Sequence, residues 1–480
     1  MKTKNKKLAR LRRAHLIGIS GMGMSALALL LKEKGWRVSG SDVEFYGPGY
    51  ELLKKSGIKV FKKYSKKNIA RNTDLIVVGG KHANLEENKN EEVKSAFRSG
   101  TKMKSAPEVL GELGKKTENT VVAGSFGKST STALLAWCLM RVKKDPSYYI
   151  GAWPIRFKAH AHSGKGKHFI LEGDEYPSSN WDTRSKFLHL RPKNLILISA
   201  EHDHLNVFPT ERDYLKPYRK LISLLPRNGL LVASNEGKNV KKVSQYAKCR
   251  TVSYGFTVKS LWHSRNITYG LKTSFDLYKG RKKIIRLETS LLGNHNIENI
   301  VGVSAYLLEK KLITPKQLQN GVKTFRGLSR RLDLKTIKSS ALVYEGFGSS
   351  YTKARSVFDA LKLHFPNKKL ITVFEPHSSS WSSALTKKWY RDIFKSSDKV
   401  IFLPPPSHRR GAPGQLSHKE LLRAIRKNKG GVYGAKNEKE TLAILKKITK
   451  KDNVIALVSS GSLLGLASSV PKLMEKLFPK

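Results

Sequence analysis

Short runs of apolar and β-branched residues alternate with longer segments of helical period from one end of the chain to the other. This alternation is the pattern of parallel sheets whose strands are joined by crossover helices. In the first third, AHLIGIS, WRVSGSD, IKVF and DLIVVGG read as strands, with SALALLLKEKG, YELLKKSG and EEVKSAFRSG as helices between them, which predicts a Rossmann-like domain over residues 1–116. A second unit starts at Thr117. There NTVVAGS is a buried strand running into the glycine turn GSFGKST and the helix STALLAWCLM. Further strands at HFILEGDE and NLILISAEH and a closing helix NIENIVGVSAYLLEKK complete a central P-loop-type α/β domain over 117–327. After the basic turn RGLSRRLDLK, the strands SALVYEGF, KLITVFEP, DKVIFLP and DNVIALVSSG predict a third domain, again Rossmann-like, over 328–480. The expected fold class is α/β with three domains.

Length supports that division, because 480 residues exceed what one hydrophobic core sustains. The two cysteines, Cys138 and Cys249, lie far apart and in no metal-ligand spacing, so neither a disulfide framework nor a zinc site is expected. A reducing, cytoplasmic setting fits. Lys2, Lys4, Lys6, Lys7, Arg10, Arg12 and Arg13 precede the apolar run HLIGISGMGMSALALLL as in a signal peptide, but Gly18, Gly21 and Gly23 break that run where a strand turns into a helix. No segment has the ~18 uninterrupted apolar residues of a membrane span. Lys+Arg number 91 against 37 Asp+Glu, a formal net charge of +54. The excess is spread as pairs such as Lys62–Lys63, Lys282–Lys283 and Lys446–Lys447, which predicts a solvated basic surface and no specific nucleic-acid partner.

The strongest local signal is Gly124-Ser125-Phe126-Gly127-Lys128-Ser129-Thr130 between a strand and a helix. Backbone N–H groups of such a turn and the helix N-terminus cradle phosphate oxygens, the lysine reaches the terminal phosphates as a solvent-facing ligand, and the serine hydroxyl can bind Mg²⁺. Val122 stands where the full G-x-x-x-x-G-K-[ST] pattern needs glycine. Glu172, Asp174 and Glu175 end one predicted strand, and Glu201, Asp203 and His204 end another. Acids and imidazoles at the carboxyl ends of parallel strands face the ligand crevice, where they can hold Mg²⁺ against ATP. Gly21-Met22-Gly23-Met24-Ser25-Ala26 fits G-x-G-x-x-A after a strand, with Asp42 about 20 residues on. That fingerprint keeps an NAD(P)-dependent dehydrogenase as an alternative.

In this order HLIGISGMGMSALA, VSGSD, AGSFGKSTST, EGDEY, SAEHDHLNVF, GNHNIEN and FRGLSRRLD resemble the Mur ligases, ATP-dependent carboxylate–amine ligases of peptidoglycan synthesis and recycling. SDVEFYGPG, DEYPSSNWDTRSKFLH and VFEPHSSS are most similar to the branch that joins the recycled peptide L-Ala-γ-D-Glu-meso-diaminopimelate to the carboxylate of UDP-N-acetylmuramic acid. The alternatives are addition of L-alanine and a divergent member with altered activity. The resemblance implies that Gly18, Gly21, Gly23, Met24 and Ser25 hold the UDP diphosphate, with Asp42 nearby. It implies that Gly124, Ser125, Phe126, Gly127, Lys128, Ser129 and Thr130 bind ATP phosphates and that Ser129 and Glu172 bind the metal. His204 is expected at a second metal or the substrate carboxylate, His295, Asn296 and Asn299 at the adenine, and Arg331 at the ATP phosphates. Arg184 and Lys186 are expected to meet carboxylates of the peptide amine.

Several positions depart from the family pattern. Glu345-Gly346-Phe347-Gly348-Ser349-Ser350-Tyr351 replaces an Asp-Asp-aromatic-x-His-His-Pro phrase. Gly346 thus removes an aspartate, and Ser349 and Ser350 remove two histidines. Asn206 replaces an aspartate, and Ser125-Phe126 replaces a Thr-His pair.

Overall fold

The computed structural model describes residues 11–45, 47–80, 85–204, 207–406 and 414–480. Three sheets carry the chain, each with helices packed around it. The first is wholly parallel, in the spatial order Lys59–Phe61, Arg37–Ser41, Arg13–Ile17, Leu75–Val78, Met103–Ser105. In the second, Glu118–Ala123 lies at the centre between His168–Gly173 and Asn194–Leu197, parallel to both. Beyond them run Ser147–Tyr149 and Ala161–His162 on one side and Leu230–Ser234, Arg250–Gly255, Trp262–Thr268, Thr273–Lys279 and Lys282–Thr289 on the other. The third follows the order Asp333–Leu334, Leu342–Phe347, Val454–Ser459, Leu370–Phe374, Lys399–Phe402, Val432–Gly434, antiparallel only at its first edge.

Every strand and helix predicted from the hydrophobic pattern is present. The strands that pattern misses are mostly short edge strands such as Met103–Ser105, or meander strands such as Lys282–Thr289, whose buried and exposed positions do not form a continuous apolar run. In the third sheet the period of two sorts the core. Leu342 and Tyr344 join Phe358, Trp381 and Phe402 on one face, while Val343, Ile371 and Leu457 join Val470 and Met474 on the other.

The described chain divides into two compact units, one of residues 1–265, 276–287 and 298–326, the other of 266–275, 288–297 and 327–480. The first sheet and most of the second, all but parts of the strands Trp262–Thr268, Thr273–Lys279 and Lys282–Thr289, therefore share one unit. The reason is visible in the helix Met22–Glu33, whose residues Met24 to Leu31 are all buried. A helix apolar on every side must be covered on every side. One side of it meets the first sheet through a core that includes Leu16, Leu27, Leu31 and Val77, and its first turn meets the strand Ser147–Tyr149 near one edge of the second sheet, where the Tyr149 hydroxyl would lie 2.5 Å from a Cβ on Gly23.

His160 fastens that junction. Its Nε2 is 2.9 Å from the Met22 carbonyl, which accepts, so the proton sits on Nε2. Nδ1 is buried with no hydrogen-bond partner among the described residues. Burial, opposed only by the bond to Met22, pushes the imidazole down from 6.5 to about 4. The folded state thus holds His160 neutral while the unfolded chain takes up a proton below about 6.5. Stability from this group is complete above that value and is lost as pH falls toward about 4. Urea unfolding between pH 7.5 and about 4 should show a falling midpoint, and His160→Gln should flatten part of that slope. An unchanged slope in the variant would exclude His160 as a source of it.

Candidate active site

The phosphate turn is shaped by two glycines. Gly124 has φ 149° and Gly127 φ 75°, values that favour glycine, and a Cβ on Gly127 would stand 2.4 Å from Asn299 Oδ1. The helix Lys128–Arg141 starts directly after Gly127 with no side-chain cap, so its first-turn N–H groups are left for an anion. Phe126 and Thr130 flank this start, both half-buried. Ser125 faces inward: its N–H donates to Ser199 Oγ at 3.1 Å and its hydroxyl donates to the Glu201 carbonyl at 2.6 Å. The turn therefore fits a nucleotide's phosphates.

Lys128 is not the solvent-facing ligand expected. Its Nζ lies 2.7 Å from Glu175 Oε2, with the lysine side chain 14% exposed and the glutamate 0%. Burial alone would push the ammonium down, but the charges of Glu175, Asp174 and Glu172 outweigh it and hold it above the ordinary lysine value. Burial would likewise raise Glu175, yet Lys128 and the hydrogen bond from His204 hold it well below the usual carboxylate range. His204, in a left-handed conformation with φ 61°, places Nε2 3.2 Å from Glu175 Oε1 and its ring 4.4 Å from that of Tyr176.

Ser129 Oγ donates to Glu172 Oε1 at 2.8 Å, and the Gly151 N–H donates to Glu172 Oε2 at 2.6 Å. Burial outweighs these donors and raises the Glu172 carboxyl. A hydroxyl and a carboxylate beside a phosphate cradle suit Mg²⁺, which keeps water and substrate phosphates as its other ligands. His204 does not complete the expected metal set, since its imidazole is turned to Glu175. Among the described residues no group of three or more His, Cys, Asp or Glu side chains is arranged to hold a metal.

The N-terminal glycine turn lies at the end of the strand Arg13–Ile17, where Gly18 has φ 80° and its N–H donates to the Ser41 carbonyl at 2.8 Å. Gly21 begins the helix without a side-chain cap. Met24 and Ser25 are 6% and 0% exposed, and the Ser25 hydroxyl is held by the Met22 carbonyl and His160. Both side chains thus face the interior, where neither is offered to a diphosphate. Asp42, 8% exposed, accepts from the N–H groups of Ser20 and Val43 at 2.8 Å each and from the Tyr64 hydroxyl at 3.2 Å. Its oxygens brace the turn, which weighs against the ribose-binding acid of a dehydrogenase.

Arg184 is engaged with Asp182 through Nε at 2.9 Å and Nη2 at 2.8 Å, a pair that His189 joins at 3.0 Å. Lys186 instead reaches the acid motif, 2.7 Å from Asp174 Oδ2. In the second unit, Asn296 is buried and its amide donates to the Leu292 carbonyl at 2.8 Å, while His295 is exposed at the same helix start. Asn299, in the first unit, packs on Gly127. Arg331 and Arg330 place their guanidinium carbons 5.2 Å and 5.7 Å from the Phe347 ring centroid. Asn206 and the basic residues Lys2 to Arg10 lie outside the described residues.

The replaced phrase of the third domain is tightly packed. Glu345 is neutralised by Arg330 at 3.1 Å and Lys335 at 3.3 Å. A Cβ on Gly346 would stand 2.8 Å from both methyls of Val357, so this backbone has no room for the aspartate it lacks. The Ser378 hydroxyl donates to the Ser349 carbonyl at 2.7 Å, which spends one serine of HSSS on holding the loop. Ser350 starts the helix Tyr351–His364 without capping it.

Two outcomes follow. Lys128→Met should cost about 3 kcal/mol of unfolding free energy by leaving Glu175 buried and unpaired. Adding Glu175→Gln should recover most of that in denaturant titrations while ATP turnover stays lost. Gly346→Asp should cost about 1–3 kcal/mol, and Val357→Ala in the same chain should return part of it; equal stability of Gly346→Asp and wild type would contradict the packing described.

The Mur ligase family catalytic domain matches residues 13–117, and the Mur ligase middle domain matches residues 122–307. The UDP-N-acetylmuramate–L-alanine ligase of Clostridium acetobutylicum is 30% identical over 420 residues, 87% of this chain and 88% of that protein. The crystal structure of UDP-N-acetylmuramate–alanine ligase from Thermotoga maritima shares the fold with a TM-score of 0.78 at 21% identity, over 97% of this chain and 99% of that one. UDP-N-acetylmuramate:L-alanyl-γ-D-glutamyl-meso-diaminopimelate ligase from Neisseria meningitides is similar with a TM-score of 0.61 at 26% identity, over 67% of this chain and all of that one. A glycine cradle opening on a lysine, and an acid motif gathered beside it, are thus found in a chain that belongs to the Mur ligase family of ATP-dependent carboxylate–amine ligases.

Proposed function

We propose that the chain joins L-alanine to the lactyl carboxylate of UDP-N-acetylmuramic acid in the cytoplasm, where ATP and the UDP-linked precursor are supplied. The observation that carries the reading is the convergence of Lys128, Glu175 and His204 with Ser129 and Glu172 at the phosphate turn. In this reading residues 1–116 bind the UDP substrate, 117–327 bind ATP and 328–480 are the C-terminal ligase domain. A carboxylate oxygen attacks the γ-phosphorus and ADP departs. The amine then attacks the acyl phosphate carbonyl, and phosphate leaves with the bond between acyl carbon and oxygen. Lys128 and the turn's N–H groups neutralise charge on the transferring group, and Ser129 and Glu172 would hold Mg²⁺, which supplies further charge stabilisation when bound.

The sequence phrases favour the recycled tripeptide, whereas the curated relative at 30% identity is named for L-alanine. Geometry supports the latter. A tripeptide brings extra carboxylates, and the guanidinium expected to clamp one is already bidentate to Asp182. Lys186, beside the acid motif, and the likeness to the Neisseria ligase support the tripeptide as a second reading.

Phosphate release measured with ATP, Mg²⁺ and UDP-N-acetylmuramic acid should give a higher kcat/KM with L-alanine than with the tripeptide. Arg184→Ala should alter the tripeptide KM by less than about fivefold, as loss of an exposed ion pair costs at most ~1 kcal/mol. Preference for the tripeptide would transfer the assignment to the second reading.

A further inference from the structure

None of the motifs includes Tyr214, which stands on the helix Glu211–Ser223 and is fully buried. Its hydroxyl is 2.9 Å from Ser125 Oγ, 3.2 Å from the Tyr218 hydroxyl and 3.4 Å from Glu175 Oε1. Proton counting orders these contacts. Ser125 spends its one hydrogen on the Glu201 carbonyl at 2.6 Å, so toward Tyr214 it accepts. Tyr214 therefore has one proton and two acceptors, the serine of the phosphate turn and the counter-ion of Lys128. Burial first, and then the Glu175 charge, raise the phenol, which stays protonated. Tyr218, buried behind it and raised in the same way, donates to the Tyr214 oxygen.

We propose that Tyr214 is a positioning residue that couples the phosphate turn to the Lys128–Glu175 pair by sharing one proton between Ser125 and Glu175. The inference rests on the reading that this turn binds ATP. While Lys128 is paired with Glu175, the phenol holds Ser125 and so fixes the turn. When Lys128 is drawn to a phosphate, Glu175 loses its cation in a buried position, and the phenol 3.4 Å away supplies a donor beside His204. Nucleotide binding and the fate of the buried carboxylate are then one event. The ring is held independently of its hydroxyl by an edge contact with Phe208, centroids 5.2 Å apart.

The test is calorimetric titration of the full chain with the non-hydrolysable analogue β,γ-methylene-ATP in Mg²⁺, alongside titration with UDP-N-acetylmuramic acid. Tyr214→Phe should weaken the ATP analogue by about 5–20-fold, the loss of a buried hydrogen bond, and change UDP-substrate affinity by less than about twofold. Ser125→Ala should act alike, Ser125→Thr should restore binding, and the Tyr214→Phe/Ser125→Ala double variant should bind no more weakly than the poorer single. Additive losses, equal behaviour of Ser125→Ala and Ser125→Thr, or a matching loss of UDP-substrate affinity would overturn the coupling. The serine variants decide the matter if Tyr214→Phe does not fold. A wild type that binds the UDP substrate but not the ATP analogue would instead remove the ATP reading itself, and the coupling with it.

Discussion

A lysine ammonium set against a carboxylate that no solvent reaches is the interaction on which the rest of the central site depends. Glu175 is tolerable in the interior only because Lys128 neutralises it and His204 bonds to its other oxygen. Lys128 in turn is directed by the helix it begins, which the left-handed Gly127 sets, and Gly127 is required both by its φ and by the Asn299 oxygen against it. A residue implied for adenine recognition thus also fixes the phosphate turn from behind. The chain of dependence runs from a helix in the middle of the sequence to a single ammonium group.

Much of this frame was legible in the sequence because it follows from periodicity and from glycine. The buried strands of the three sheets read as continuous apolar runs, and the glycine turns fall at strand ends, where backbone geometry demands them. What was not legible is which polar groups face inward. Glu172 and Glu175 are three residues apart in one strand-end phrase, yet one meets Ser129 and the other Lys128, because the chain leaves the strand between them. Asp42 reads as a ligand acid from its spacing but spends its oxygens on the N–H groups of Ser20, in the glycine turn, and of its neighbour Val43. Tyr214 has no motif at all, since a tyrosine in an amphipathic helix looks like core until its hydroxyl is placed.

The same limit governs the amine acceptor. Arg184 and Lys186 are neighbours in DTRSKF and equal as charges, but a local aspartate takes up the whole fork of one while the other extends to the acid motif. Cations near a site are therefore poor guides to specificity until their partners are known. The third domain carries the converse case, in which Gly346, Ser349 and Ser350 read as losses of polar ligands. Val357 packs into the space an aspartate would use, and Ser378 bonds to the backbone beside the serines, so this loop is remodelled around its smaller residues.

The all-round burial of the helix Met22–Glu33 bears on how the protein is made. This helix leaves the ribosome well before one of the surfaces that covers it, the strands Ser147–Tyr149 and Ala161–His162, which is encoded more than a hundred residues later. At about 5–20 residues per second the nascent chain carries an uncovered apolar helix for roughly ten seconds. During that interval it is a substrate for chaperones, and a pause in translation before Ser147 prolongs the exposure.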